Sequence, residues 1–179
     1  MRALRARLAV LACLSLLAAA SGALAAMPEI LSEAVLATES GTRPVSLPHR
    51  LQPGDFAPRG SRVSYRLELR IADPMADFAL YIPRISRSGR VILNGLEVGG
   101  CGSLPLEAMR CHHRPLFVRP PRSAWRPGSN LIEIEVFANH RQSNGLSAVT
   151  IGPADALYRE AYLPRHLLQV GSIDALSSG

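Results

Sequence analysis

Between Val63 and Ile71 the chain alternates strictly: Val63, Tyr65, Leu67, Leu69 and Ile71 are apolar, and Ser64, Arg66, Glu68 and Arg70 are polar. Five apolar positions at a period of two describe a strand with one dry face and one wet face. The same pattern returns at Phe78, Leu80 and Ile82 until Pro83, at Arg90–Leu93, and at Ile132, Ile134 and Val136, which alternate with Glu133 and Glu135. Leu96–Val98, Leu116–Val118 and the pair Val149 and Ile151 add shorter runs, and a further strand is expected near Val45–Leu47. Asn94-Gly95 joins two of these runs as a two-residue hairpin turn, and Pro127-Gly128-Ser129-Asn130 turns the chain before the Ile132 strand. Short strands separated by turn signals predict an all-β fold, an antiparallel β-sandwich or jelly roll, with no internal repeat.

The two ends depart from this pattern. Residues 27–60 carry Pro28, Pro44, Pro48, Pro53 and Pro58, which discourage a long helix and suggest a leading segment with one strand. After Gly152-Pro153, Asp155 is expected to cap a helix with apolar positions at Leu157, Tyr158, Tyr162, Leu167 and Leu168. Pro164 is expected to break or kink that helix, and Gly171 to stop a second piece. At the other end, Arg2, Arg5 and Arg7 precede an apolar run from Leu8 to Ala20 and small residues at Ala23, Ala25 and Ala26. That is the layout of a secretory signal peptide, with an apolar run short of the roughly 20 residues that span a bilayer. The expected organisation is a signal peptide at 1–26, a leading segment at 27–60, a sandwich at 61–154, and a helix and tail at 155–179. The expected location is exported and periplasmic.

Composition changes the picture once the leader is set aside. All 20 basic residues of the 179 are Arg, so Arg abundance is a property of the whole chain and not the mark of one site. Removing three of them with the leader lowers the formal net charge from +6 to +3, and the rest are scattered with few aromatic neighbours. Scattered charge and export both argue against nucleic acid as a partner.

Two cysteines remain in the exported part, Cys101 and Cys111, across a Gly-rich stretch. An even count in an oxidising compartment favours a disulfide, contributing roughly 3 kcal/mol on the chain-entropy model. Free thiols and a metal site with His112 or His113 are the alternatives. Adjacent residues on a strand point to opposite faces, which disfavours the metal. No cofactor is expected.

Catalysis has little to stand on. Glu133 and Glu135 share one strand face, but their alternation with Ile132, Ile134 and Val136 makes them a solvated face before a carboxylate pair. No nucleophile elbow, phosphate loop or HExxH motif occurs, so the chain is expected not to be an enzyme.

Binding has more candidates. A sugar needs a flat aromatic with planar hydrogen-bonding groups, and Trp125, the only tryptophan, lies beside Arg122 and Arg126. The competing reading makes Trp125 a core-edge residue. His112, His113 and Arg114 follow the expected disulfide loop, and His140 and Arg141 sit in the polar loop NHRQSNG. Each is a candidate ligand-binding residue with a plain connector as its rival. Asn94 reads as turn chemistry.

Five stretches carry a resemblance: ALYIPRI (79–85), GRVILNGLEV (89–98), RPLFVRPP (114–121), WRPGSNLIEIEVFA (125–138) and SAVTIGPADALYREAY (147–162). Their order resembles the galactose-binding-like jelly roll of periplasmic sensory domains. Those domains precede seven-helix membrane segments with a diguanylate cyclase or histidine kinase inside the cell. The resemblance implies a ligand-sensing role for a small molecule or a periplasmic protein, with a membrane-embedded receptor portion expected after residue 179. VILNG and the PGSN turn are also similar to the sugar-binding jelly roll of family 2 glycosidases. That likeness implies the alternative, a carbohydrate-binding accessory module; a structural interaction protein is the third reading.

Overall fold

A computed structural model describes residues 28–86, 88–101, 105, 114–140 and 144–168. Twelve strands lie among them: β1 (Glu29–Leu31), β2 (Glu33–Thr38), β3 (Gly41–Ser46), β4 (His49–Arg50), β5 (Ser61–Ile71), β6 (Phe78–Ile82), β7 (Arg90–Leu93), β8 (Leu96–Gly100), β9 (Leu116–Val118), β10 (Gly128–Ala138), β11 (Gly145–Leu146) and β12 (Val149–Pro153). One sheet has the order β1-β12-β6-β9, the other β3-β2-β5-β10-β7-β8, and β4 pairs with β11. All pairings are antiparallel.

The alternation in β5 and β10 decides the core. Opposite one another stand Leu67 and Ile132, Tyr65 and Ile134, and Val63 and Val136, all almost fully buried. Arg66 and Glu133 are partners in the same register on the other face, bonded at 2.8 Å. Period-two patterning therefore sends one set of side chains to the inter-sheet space and the other to water.

β6 behaves differently, because Ala79, Leu80, Tyr81 and Ile82 are all buried. Leu80 and Ile82 face the main core, while Ala79 and Tyr81 form a second cluster with Ala154 and Leu157. The C-terminal helix covers the outer face of this sheet, so the run FALYI is apolar on both sides.

The leading segment is more structured than expected. The strand anticipated near Val45–Leu47 occurs as β3, but β1, β2 and β4 accompany it. β2 lies between β3 and β5, with Leu36 fully buried. The sandwich thus takes its first strand at Glu29, well before the expected start at 61. The prolines excluded a helix without excluding strands: Pro44 sits on an edge strand, where a missing N–H interrupts no central ladder.

The helix also departs from expectation. Pro153, not Asp155, occupies the N-cap of α1 (Ala154–Leu157), and Asp155 lies in the first turn. An acid there still complements the positive helix end. Pro164 does not end the helical path, which runs on through residue 168. A π-helical turn over Tyr158–Tyr162, with Leu163 N–H bonded to the Tyr158 carbonyl, widens the helix just ahead of the proline. Gly171 lies outside the described residues. No described helix is long and apolar enough to cross a membrane.

Candidate functional site

The β2–β3 hairpin tip and the loop after β4 meet at one end of the sandwich. Thr38 Oγ1 and Ser40 Oγ lie 2.8 Å apart, and Ser40 N–H donates to Thr38 Oγ1 at 3.3 Å, so the tip is a hydroxyl-braced turn that presents Glu39 and Ser40. Opposite it, Pro53–Asp55 forms one 3₁₀ turn. The Gln52 N–H donates to Asp55 Oδ2 at 2.7 Å, and the Asp55 N–H donates back to the Gln52 carbonyl at 2.9 Å. Arg43, on β3, joins hairpin and turn through Nη2, which donates to Asp55 Oδ1 and Oδ2 at 2.9 and 3.1 Å.

Between these walls lies an open cleft of about 200 Å³ lined by Glu39, Ser40, Gly54, Asp55, Phe56 and Ala57. The Ala57 N–H is held by Ser61 Oγ at 3.2 Å. The Phe56 ring meets the exposed His140 ring with centroids 4.9 Å apart and a 54° tilt. An aromatic edge, two carboxylates and a serine hydroxyl therefore border one space. Such a lining accepts hydroxyl donors and packs against a C–H face.

The charges behind the cleft are coupled. Burial alone would raise the Asp55 carboxyl, but the Gln52 amide and the Arg43 guanidinium hold it below the usual carboxylate value. His49 Nδ1 stands 3.1 Å from the Tyr65 hydroxyl, inside the strap formed by β4 and β11. Burial and the Arg43 charge lower the His49 imidazole, against a smaller opposing pull from Asp55. Burial raises the Tyr65 phenol well above its ordinary value, so it remains a neutral hydroxyl.

The structure separates the candidates that lie among the described residues, Trp125, Arg114 and His140. Trp125 is only 4% exposed and meets Phe78 edge-on at 5.9 Å. Its indole N–H has no acceptor among the described residues. A ring enclosed in this way offers no open face, which corrects the platform reading in favour of the core one. Arg114 is exposed ahead of β9 and is not a lining residue of the cleft. Of the described candidates, only His140 approaches the cleft, through its contact with Phe56. His112, His113 and Arg141 lie outside the described residues. Cys101 is disulfide-bonded, and its expected partner, Cys111, also lies outside them. No group of three or more His, Cys, Asp or Glu able to hold a metal occurs among the described residues.

Glu133 and Glu135 face outward beside Arg66 and Arg90, at 2.8 and 3.9 Å. Asn94 adopts φ 51° and Gly95 φ 86°, the positive values of a tight hairpin turn. The Asn94 side chain also reaches Asn130, so the two asparagine motifs form one hydrogen-bonded clamp.

Sequence reasoning passed over Glu39, Ser40, Asp55 and Phe56. Their signals were a turn, Pro53-Gly54-Asp55, followed directly by an aromatic, and a Thr-Glu-Ser-Gly hairpin tip. Neither has a period, and the loops approach only through tertiary folding.

No family model matches the chain, and no curated protein matches it. Solved structures do. The β-galacturonidase of glycoside hydrolase family 2 from Eisenbergiella tayi, bound to galacturonate, superposes on 72% of this chain with a TM-score of 0.52 and 16% identity. The Ruminococcus gnavus β-glucuronidase in complex with uronic isofagomine superposes on 73% with a TM-score of 0.53 and 12% identity. The shared fold is an antiparallel β-sandwich. The matched parts are 24% and 28% of those enzymes' chains, so this sandwich spans about a quarter of their length. At such identities the likeness concerns the fold.

Proposed function

We propose that this sandwich is an exported, non-catalytic carbohydrate-recognition domain whose ligand sits in the cleft at the β2–β3 tip. The observation that carries the reading is the convergence of Phe56 with Ser40, Asp55 and Glu39 around one open space, with His140 packed against the Phe56 ring. Glycosidases that hydrolyse glucuronides and galacturonides carry a sandwich of the same fold beside further chain, which supports a carbohydrate context. The leader at 1–26 is the proposed export signal, and Cys101 is proposed to pair with Cys111 within the exported chain.

A calorimetric titration of the purified chain with methyl glycosides of the common hexoses tests the reading. A saturable heat that disappears in Phe56→Ala supports it. No heat with any glycoside, or full affinity in Phe56→Ala, overturns it.

A second reading makes the same recognition event the input of a signalling receptor. The observation that favours it is the C-terminal helix. The helix is attached to the sheet by Tyr81, Phe117, Tyr158 and Tyr162, with ring centroids 5.4 to 6.5 Å apart. Asp77 and Asp155 flank Arg119 at the start of that helix. Ligand-dependent amide exchange in residues 154–168 is the expected signature, and unchanged exchange there would count against transmission by this route.

A further inference from the structure

We infer that the cleft selects by charge, taking uncharged, hydroxyl-rich glycosides and excluding uronides; the inference rests on the carbohydrate reading of this same site. Among the described residues the lining contributes two carboxylates, Glu39 and Asp55, and no cation. Among the described residues Arg43 is the cation placed to offset them, and its Nη2 is engaged by both Asp55 oxygens. That pair is close to neutral as a unit. Glu39, exposed at the hairpin tip, has no ion-pair partner among the described residues and sets the sign of the field at the rim.

Carboxylate oxygens accept hydrogen bonds and donate none when ionised. Vicinal hydroxyls of a neutral pyranoside supply donors to Glu39, whose carboxylate is exposed at the rim, and the C–H face of such a ring fits the Phe56 edge. A sugar carboxylate brings acceptors to acceptors and a like charge into the rim. At a separation of about 4 Å in a solvent-exposed setting, that repulsion corresponds to a factor of roughly five in affinity. The penalty is screened by salt.

The test compares methyl β-glucoside and β-galactoside with the matching methyl uronides by calorimetry at low and high salt, using the full chain. The expected result is affinity for the neutral sugars at least about fivefold above that for the uronides at low salt, with the ratio narrowing at high salt. In Glu39→Gln the ratio shifts several-fold toward the uronides, while Glu160→Gln, on the helix, leaves the wild-type ratio in place. Equal or tighter uronide binding by the wild type overturns the inference while leaving the carbohydrate reading intact. An unchanged ratio in Glu39→Gln also overturns it. Absence of binding by every sugar overturns the carbohydrate reading and this inference with it.

Discussion

Asn130→Ala removes a side chain that is 1% exposed and holds four hydrogen bonds. Its Oδ1 accepts the Arg126 N–H at 2.9 Å and the Asn94 Nδ2 at 2.8 Å. Its Nδ2 donates to the Arg126 and Gly128 carbonyls at 2.8 and 3.0 Å. Asn94 in turn accepts the Leu131 N–H at 3.0 Å and donates to the Ala124 carbonyl at 2.9 Å. A stranded buried partner costs about 1–3 kcal/mol. Arg126 and Gly128 lie on an exposed turn where water can replace some partners, so the groups near Asn94 dominate the loss. The expected destabilisation is about 3 kcal/mol, a large share of the 5–15 kcal/mol typical of a domain. Urea denaturation followed by tryptophan fluorescence measures it, with the midpoint lowered and the slope unchanged. Asn94→Ala should cost less, and the double variant less than the sum, because both act on one network. A loss below about 1 kcal/mol, or strict additivity, would refute the clamp.

Three further outcomes follow from the same geometry. Trp125→Ala should lose about 3–5 kcal/mol as a buried aromatic is deleted, while glycoside affinity measured below the melting transition stays at the wild-type value; lost affinity in a folded variant would return Trp125 to the site. For pH, the folded His49 imidazole lies below its ordinary value of 6.5, so the unfolded chain takes up the proton first. The corresponding stability is present above about pH 6.5 and is lost as pH falls toward the folded value; His49→Gln should flatten this part of a stability–pH curve, and an unaltered curve would contradict the assignment. Asp55, held below its ordinary value of 3.8, contributes stability that is present above about pH 4 and lost in stronger acid, and Asp55→Asn should remove that dependence.

What the sequence disclosed depended on how many faces each element buries. β5 and β10 each bury one face, and their alternation was visible from Val63 and Ile132 onward. The Asn94-Gly95 turn was legible because only a few residues tolerate φ values of 51° and 86° in succession. β2 was harder to see: Ala34 and Leu36 point inward and Val35 outward, leaving little contrast between its faces. The alternation at Phe78, Leu80 and Ile82 describes only one face of β6, because the helix buries the other. Trp125 was placed among the binding candidates because a lone tryptophan between two arginines has the composition of a sugar platform; only its burial against Phe78 separates that role from packing. The cleft was hidden for a related reason. Arg43 and Asp55 meet across a hairpin and a turn, and Phe56 and His140 meet from distant parts of the sequence, so no local pattern announces either contact.

The residues that carry the family resemblance are consequently not those that border the cleft. Asn94 and Asn130 brace the turns at one place in the sandwich, whereas Glu39, Ser40, Asp55 and Phe56 come from the leading segment, where the resemblance does not reach. A shared fold fixes the scaffold and leaves the ligand to loops.

The central claim is recognition of a sugar at this cleft, and an amide-resolved NMR titration of isotope-labelled chain with a neutral methyl glycoside tests it most directly. The account predicts saturable shifts confined to Glu39, Ser40, Gly54 to Ala57 and His140, following one binding curve. Saturable shifts centred elsewhere, or an unperturbed spectrum at high glycoside concentration, would contradict it.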